Sequence, residues 1–391
     1  MTKPVVIVGA SMGGLRAAEA LRRFGYLGPI TVIGDEPHAP YNRPPLSKEV
    51  LAAEVSHEAV AFPQRDSTAD VNWVLGTRAV SADLKHETVT DDSGVTHQYQ
   101  ALIIAAGLRP KRLNLANAAL VGRHAVRTLD DAIALRSELK PGAKVVVVGA
   151  GFIGCEVAAT ARKLGCEVSI VAPGSHPITR PLGVEMAREL ERRHEAMGVK
   201  FFMKTAVEDL VGESRIEGVL LDTGETIACD ALVEAIGSHT NTEWLEGNDL
   251  DLTDGVLTDN DMRARKQTGE VWPNVFAIGD VARFANPLFD DVARRVEHWN
   301  IPTDTAKRVA QVFTGQAEGR FAPIPSFWSD QYDMHILAYG LLALADEVKL
   351  IAGELSGECV FGYYREGKMV GVCGIGMRTT VMSYRKEFEL K

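Results

Sequence analysis

Pro4-Val5-Val6-Ile7-Val8-Gly9-Ala10-Ser11-Met12-Gly13-Gly14 carries an apolar run straight into a glycine-rich turn, after which Leu15, Ala18 and Leu21 recur at helical spacing. The pattern reads as a strand (Pro4 to Val8), a tight turn and a helix (Gly13 to Phe24). It recurs as Lys144 to Val148, then Gly149-Ala150-Gly151-Phe152-Ile153-Gly154, then a helix from Ile153 to Leu164. Glycine serves such a unit where the backbone turns sharply, where it approaches a pyrophosphate and where helix meets strand; the helix N-terminus faces the phosphate charge. Two copies in one chain imply two dinucleotides, one a tightly held flavin and one an exchangeable nicotinamide.

Further strands extend each unit. Ile30 to Ile33 precedes Asp35 and Glu36, placed where a carboxylate accepts from ribose hydroxyls. Tyr41-Asn42-Arg43-Pro44-Pro45-Leu46-Ser47-Lys48 combines a stiff proline pair with two cations. Leu102 to Gly107, Glu167 to Val171 and Asp230 to Gly237 read as buried strands, and Val275 to Ile278 delivers Asp280 at a strand's C-terminal end, where open parallel sheets bind ligands. From about Phe321 the character changes: His335 to Tyr339, Glu347 to Ile351, Cys359 to Tyr364 and Met369 to Cys373 are strand-like between glycine turns. The predicted fold is α/β, two Rossmann-like, glutathione-reductase-type dinucleotide-binding domains plus a small α+β C-terminal domain. Expected boundaries are 1–110 with 241–320 for the flavin domain, 111–240 for the nicotinamide domain and 321–391 for the last.

Composition narrows the function. With 391 residues and 46% hydrophobic content the chain can bury several cores. A net charge of −10 argues against nucleic acid as a partner. The apolar stretch Ile336 to Ala345 is too short to span a bilayer, and the start enters a strand without a signal-peptide pattern, so the expected location is the cytoplasm, without membrane attachment. The five cysteines, Cys155, Cys166, Cys229, Cys359 and Cys373, include no CxxC pair, which disfavours a disulfide framework, a zinc site and an intrinsic iron–sulfur cluster. No metal site is expected.

In this order, the Gly9 fingerprint, Arg43-Pro44-Pro45-Leu46-Ser47-Lys48, the Gly149 fingerprint with Glu156, Ile278-Gly279-Asp280 and Phe327-Trp328-Ser329-Asp330-Gln331-Tyr332 resemble the oxygenase-coupled ferredoxin reductases. These belong to the FAD-dependent pyridine nucleotide-disulfide oxidoreductases. The resemblance implies an enzyme that takes a hydride from NAD(P)H onto flavin N5 and passes single electrons to a [2Fe–2S] ferredoxin serving a cytochrome P450 or a Rieske-type, ring-hydroxylating dioxygenase. It implies that Gly9, Ser11, Gly13 and Gly14 hold the FAD pyrophosphate, Asp35 and Glu36 the adenosine ribose, Arg127 another part of FAD, and Asp280 the ribityl chain. Lys48 would lie by flavin N5 and Glu156 beside Lys48 and the nicotinamide, making these two the catalytic pair. Gly149, Gly151, Phe152, Ile153 and Gly154 would cradle NAD, with Trp328 and Trp299 against the flavin. Arg43, Ala79, Ala106, Gly107, Gly237, Gly279, Glu297 and His298 complete the cofactor-binding set.

Three departures stand out. Ser11 replaces the middle glycine of the first fingerprint, and Asn300-Ile301-Pro302 is an unusual start for the flavin-facing helix. Val171-Ala172-Pro173-Gly174 lacks the acidic residue that favours NADH, which leaves NADPH open, with His176 or Arg180 as cations for a 2′-phosphate. An acidic ferredoxin would look for late cations such as Lys307, Arg308, Arg378, Arg385 and Lys386. The alternatives are another flavin NAD(P)H oxidoreductase of this fold (a rubredoxin reductase, an NADH oxidase or peroxidase, a disulfide reductase) and a flavoprotein resembling apoptosis-inducing factor. The peroxidase and disulfide chemistries need a redox cysteine in the first domain, and none precedes Cys155.

Overall fold

The computed structural model describes residues 3–115 and 119–388. The first apolar run is strand β1 (Val5–Val8), entirely buried. Helix α1 (Met12–Arg23) turns Leu15, Ala17, Ala18 and Leu21 inward, and strand β2 (Ile30–Gly34) lies parallel to β1 with Val5 opposite Ile30. Six strands form this first sheet, in the order Arg263–Arg265, Val271–Ala277, Ala101–Ile104, β1, β2, Asn72–Leu75. Val271–Ala277 pairs in parallel with Ala101–Ile104, so the chain returns to this sheet after building a second one. Both faces are covered, which explains why its strands read as unbroken Val/Ile/Leu runs.

The second sheet repeats the plan. Strand β3 (Lys144–Val148), helix α2 (Phe152–Lys163) and strand β4 (Glu167–Ala172) form the same parallel unit, extended by Lys200–Met203 beyond β4 and by Ala231–Glu234 and Arg123–His124 on the other side. Helix α3 (Val184–Ala196) packs beside it, burying Met186, Leu190 and His194. Each half carries a three-stranded antiparallel outlier, Ala79–Asp83 with its partners in the first and Val207–Val211 with its partners in the second. The linkers between the halves, Leu108–Pro110 and Ser238–Thr240, pair antiparallel.

Helix α4 (Ile301–Phe313) begins with Pro302 in its first turn, where the missing N–H costs nothing. Strand β5 (Ser326–Gln331) then opens a five-stranded antiparallel sheet, in which it is followed by Met334–Gly340, Lys368–Ile375, Cys359–Arg365 and Glu347–Gly353. Four of those strands lie where the sequence places them. β5 itself is a strand that apolar alternation does not reveal. Its sheet buries Met334, Ile336, Phe361 and Cys373 in one core with Cys155, Val157, Met186 and Leu190 of the second unit. At about 2 kcal/mol for each large apolar side chain fully covered, this shared core holds the C-terminal sheet against the second unit. Among the described residues no helix is long and apolar enough to cross a membrane, and no cluster of His, Cys, Asp and Glu is placed to hold a metal ion.

Candidate active site

The two glycine loops are built alike. Gly9 donates its N–H to Ile33 O at 2.7 Å at φ +122°, and a Cβ there would stand 2.1 Å from Ala105 O. A Cβ on Gly14 would stand 2.0 Å from Gly9 O. In the second loop Gly149 donates to Val171 O at 2.8 Å, and added Cβ atoms at Gly149 and Gly154 would meet Ala235 O at 2.2 Å and Gly149 O at 2.1 Å. Close backbone approach therefore forces glycine at four positions. It does not at Gly13, where the nearest atom is 3.6 Å away, nor at Gly151, which has nothing within 4 Å. Gly151 faces open space beside the start of α2, and neither α1 nor α2 receives a side-chain cap, so their first N–H groups are free for an anion. This is the cradle a dinucleotide pyrophosphate fits.

Between the units and the C-terminal sheet lies a cleft of about 890 Å³, bounded by Ser11 and Gly13, Arg43 to Lys48, Phe152 and Glu156, Asp280, Trp299 and Trp328. Ser11 Oγ accepts a hydrogen bond from Arg43 Nε at 3.0 Å. Arg43 also pairs with Glu36 and donates to Arg127 O at 2.5 Å. Glu36 is thus occupied by Arg43 and by Tyr41 Oη at 2.5 Å, while Asp35 is exposed beside it. The Asp280 carboxylate receives no hydrogen bond from a described side chain, Arg295 donating only to the backbone O at 3.2 Å; its charged partner is Arg127 Nη2 at 3.7 Å. Burial pushes the Asp280 carboxyl up, opposed by Arg127. A half-buried carboxylate without donors is what sugar hydroxyls require.

Gly107, at φ +60°, and Gly279, whose N–H donates to Thr305 Oγ1 at 3.1 Å, both line the cleft. Ala106 O accepts from Asn241 Nδ2 at 2.8 Å. Glu297 pairs with Arg295 at 2.8 Å, and burial pushes the neighbouring His298 down to about 4, which keeps it neutral with Nδ1 unpartnered. Trp299 meets Trp328 edge-on at 5.5 Å, and Phe152 packs against Phe327 at 5.0 Å. Ile153 is exposed on the first turn of α2. Ala79 and Gly237 lie outside the cleft lining, Ala79 buried in the first outlying sheet and Gly237 in the linker, where its O accepts from Lys111 N.

At the cleft's centre Lys48 Nζ reaches Glu156 Oε2 at 2.6 Å. Ser47 Oγ donates to the same oxygen at 2.6 Å, Ser329 Oγ to the other at 2.6 Å, and Thr160 Oγ1 fixes Ser47 O at 2.8 Å. The sequence reading missed Ser47 and Ser329, although both stand inside the quoted motifs, because each sits next to a more conspicuous Lys or Trp. Two of its suggestions are corrected. Arg308 is buried on Asp261 and two carbonyls and presents no surface charge. His176 has both ring nitrogens engaged, by Glu191 at 2.6 Å and by Arg188 at 3.3 Å. Arg180 lines the central cleft, and Asn300 joins the start of α4 to β5, its Oδ1 accepting from Ser326 N at 2.8 Å.

Residues 3–310 match the family model for pyridine nucleotide-disulphide oxidoreductases, and residues 326–390 the reductase C-terminal model. The chain belongs to the pyridine nucleotide-disulphide oxidoreductase family. It is 34% identical to the anthranilate 1,2-dioxygenase system ferredoxin–NAD(+) reductase component of Burkholderia cepacia, covering 98% of this chain and 93% of that one. It is 33% identical to the corresponding component of the p-cumate 2,3-dioxygenase system of Pseudomonas putida, covering 92% and 86%. The crystal structure of a covalent putidaredoxin reductase–putidaredoxin complex superposes with TM-score 0.92 at 27% identity, over 99% of this chain and 93% of that one. Fold and family thus agree with the two-loop reading, and the small last domain is part of the family pattern.

Proposed function

We propose that this chain is an FAD-dependent ferredoxin reductase: it takes a hydride from NADH and delivers single electrons to a [2Fe–2S] ferredoxin that feeds a cytochrome P450 or a ring-hydroxylating dioxygenase. The observation that carries it is the Lys48–Glu156 pair at 2.6 Å, in a cleft that is also lined by Ser11 and Gly13 of the first glycine loop and by Phe152 and Ile153 at the start of α2. The ferredoxin–NAD(+) reductase names of the relatives and the putidaredoxin complex of the neighbour support the partner.

In this reading Gly9, Ser11, Gly13, Gly14 and the start of α1 hold the FAD pyrophosphate, Arg43 and Arg127 flank it, and Asp280 binds its sugar-alcohol chain. Gly149, Gly151, Gly154 and the start of α2 hold the nicotinamide dinucleotide. FAD held there would supply the chemistry that joins a two-electron hydride donor to a one-electron acceptor. Lys48 contributes a fixed positive charge at the reacting end, and Glu156 orients that charge while keeping the cleft electrically balanced. Trp299, Trp328 and Phe327 exclude water there. The carboxylate-free stretch Ala172 to Gly174 does not repel a 2′-phosphate, but His176 is taken up by Glu191 and Arg188 and offers it no free cation, so NADPH serves as a poorer substitute. The domain division proposed is 1–110 with 241–320, 111–240 and 321–391, following the three large sheets. Five unpaired thiols support a cytoplasmic location. Lys307 and Arg385, exposed about Asp304, are cations for an acidic ferredoxin to meet.

The test is reduction of cytochrome c by the purified protein with NADH. Adding a [2Fe–2S] ferredoxin raises the rate many-fold on this reading; rapid peroxide turnover without ferredoxin overturns it.

A further inference from the structure

Beyond Glu156 the polar contacts continue inward, away from the cleft. Ser329 Oγ donates to Glu156 Oε1 at 2.6 Å, Gln331 Nε2 donates to Ser329 Oγ at 3.0 Å, and His194 Nε2 stands 2.8 Å from Gln331 Oε1. Ser329, Gln331 and His194 have no exposed surface. They come from β5 and α3, so the chain crosses the joint between the C-terminal sheet and the second unit.

The direction of every hydrogen is determined from the carboxylate outward. Glu156 only accepts, so Ser329 spends its one hydrogen there and its oxygen must accept. The group facing that oxygen is therefore the Gln331 amide nitrogen, which turns the Gln331 carbonyl to His194. That carbonyl requires a hydrogen on Nε2, and His194 Nδ1, left as a bare lone pair, has no partner. Burial pushes the His194 ring down, in keeping with a neutral imidazole. A buried joint held only for stability is served as well by apolar side chains. This one instead aims a file of donors at the carboxylate that grips Lys48.

We propose that Ser329, Gln331 and His194 are positioning residues for hydride transfer: they fix the Glu156 carboxylate, and through it the Lys48 ammonium, so that the reacting end of the cleft depends on the seating of the C-terminal sheet. The proposal rests on the reductase reading above. An error of 1 Å in a reacting group can cost on the order of a hundredfold in rate, and one lost hydrogen bond to a charged group about tenfold.

The experiment compares wild type, Ser329→Ala, Gln331→Met, Glu156→Ala and Glu156→Ala/Ser329→Ala as FAD-loaded proteins. Single-turnover flavin reduction by NADH is expected to slow about tenfold in Ser329→Ala and in Gln331→Met, with NADH affinity changed less than about twofold. Adding Ser329→Ala to Glu156→Ala is expected to slow it no further. Two readouts do not depend on turnover. The destabilisation by Ser329→Ala in denaturant should shrink in the Glu156→Ala background, and the His194 ring nitrogens should show the Nε2–H form in wild type and a mixture of forms in Gln331→Met. Multiplying rate effects, an unslowed Ser329→Ala, or unchanged His194 signals overturn the proposal. A wild type that NADH does not reduce would defeat the reductase reading instead, leaving the unfolding and ring-nitrogen measurements to judge the chain of donors.

Discussion

Lys48 and Glu156, 108 positions apart in sequence, meet at 2.6 Å with side chains 15% and 8% exposed. The lysine follows the stiff Pro44-Pro45 turn of the first unit and the glutamate stands on the first turns of α2, so the pair exists only when both units are assembled. Each partner belongs to a different dinucleotide-type unit.

Removing the ammonium should therefore separate chemistry from binding. Lys48→Ala is expected to retain FAD, since the phosphate loop, Arg43 and Asp280 are untouched, and to slow flavin reduction by roughly a hundredfold. Stopped-flow absorbance on the variant checks this; an unchanged rate contradicts the role given to the charge.

The second loop distinguishes glycines needed by the fold from those needed by a ligand. Gly154→Ala drives a methyl to 2.1 Å from Gly149 O and should lower the melting temperature by several degrees or prevent folding. Gly151→Ala meets nothing within 4 Å, so the melt should be unchanged while the NADH affinity falls about tenfold or more. Calorimetry beside ligand titration separates the two.

Stability should fall on mild acidification. Burial pushes His298 down to about 4 and also lowers His194 and His124, so the folded chain holds these rings neutral while the unfolded chain protonates them near 6.5. Between about pH 6.5 and 4 the unfolded state binds more protons, and unfolding free energy decreases as pH drops. Urea unfolding at pH 7.5 and pH 5 measures the loss. In His194→Gln the slope should be shallower by about one proton, and an identical slope would show that this ring titrates normally.

The thiols should be bystanders. All five are free and buried; burial pushes Cys229 up to about 12 and raises Cys155 and Cys373 further. Folded protein is expected to resist a thiol reagent for many minutes and to keep its NADH activity, with five groups reacting after denaturation. Fast modification with loss of activity would favour disulfide or peroxide chemistry.

How much of this was legible follows from what each signal reports. The two loops announce themselves because backbone oxygens lie where Cβ atoms would be, a constraint local to a few residues. Their strands are apolar on both faces, and their boundaries in the structure fall close to those read from the runs. Strand β5 escaped because its pattern is inverted: Ser329 and Gln331 are fully buried and Trp328 is 38% exposed, so alternation of hydrophobicity gives no signal. Nothing in the local pattern singles out His194, and Arg308 reads as one more late surface cation. Only the packing of distant elements reveals that His194 meets Gln331, 137 positions on, and that Arg308 serves Asp261. Resemblance pointed to Lys48 and Glu156, but the serines that hold them emerged from geometry.

Anaerobic mixing of the purified protein with NADH, followed through the flavin's visible absorption, tests most directly whether one polypeptide brings the two dinucleotides together. The expected result is a yellow protein whose band bleaches within a single turnover and returns when an oxidised [2Fe–2S] ferredoxin is added. A colourless protein that takes up no FAD, or a bound flavin that neither NADH nor NADPH bleaches, would contradict it.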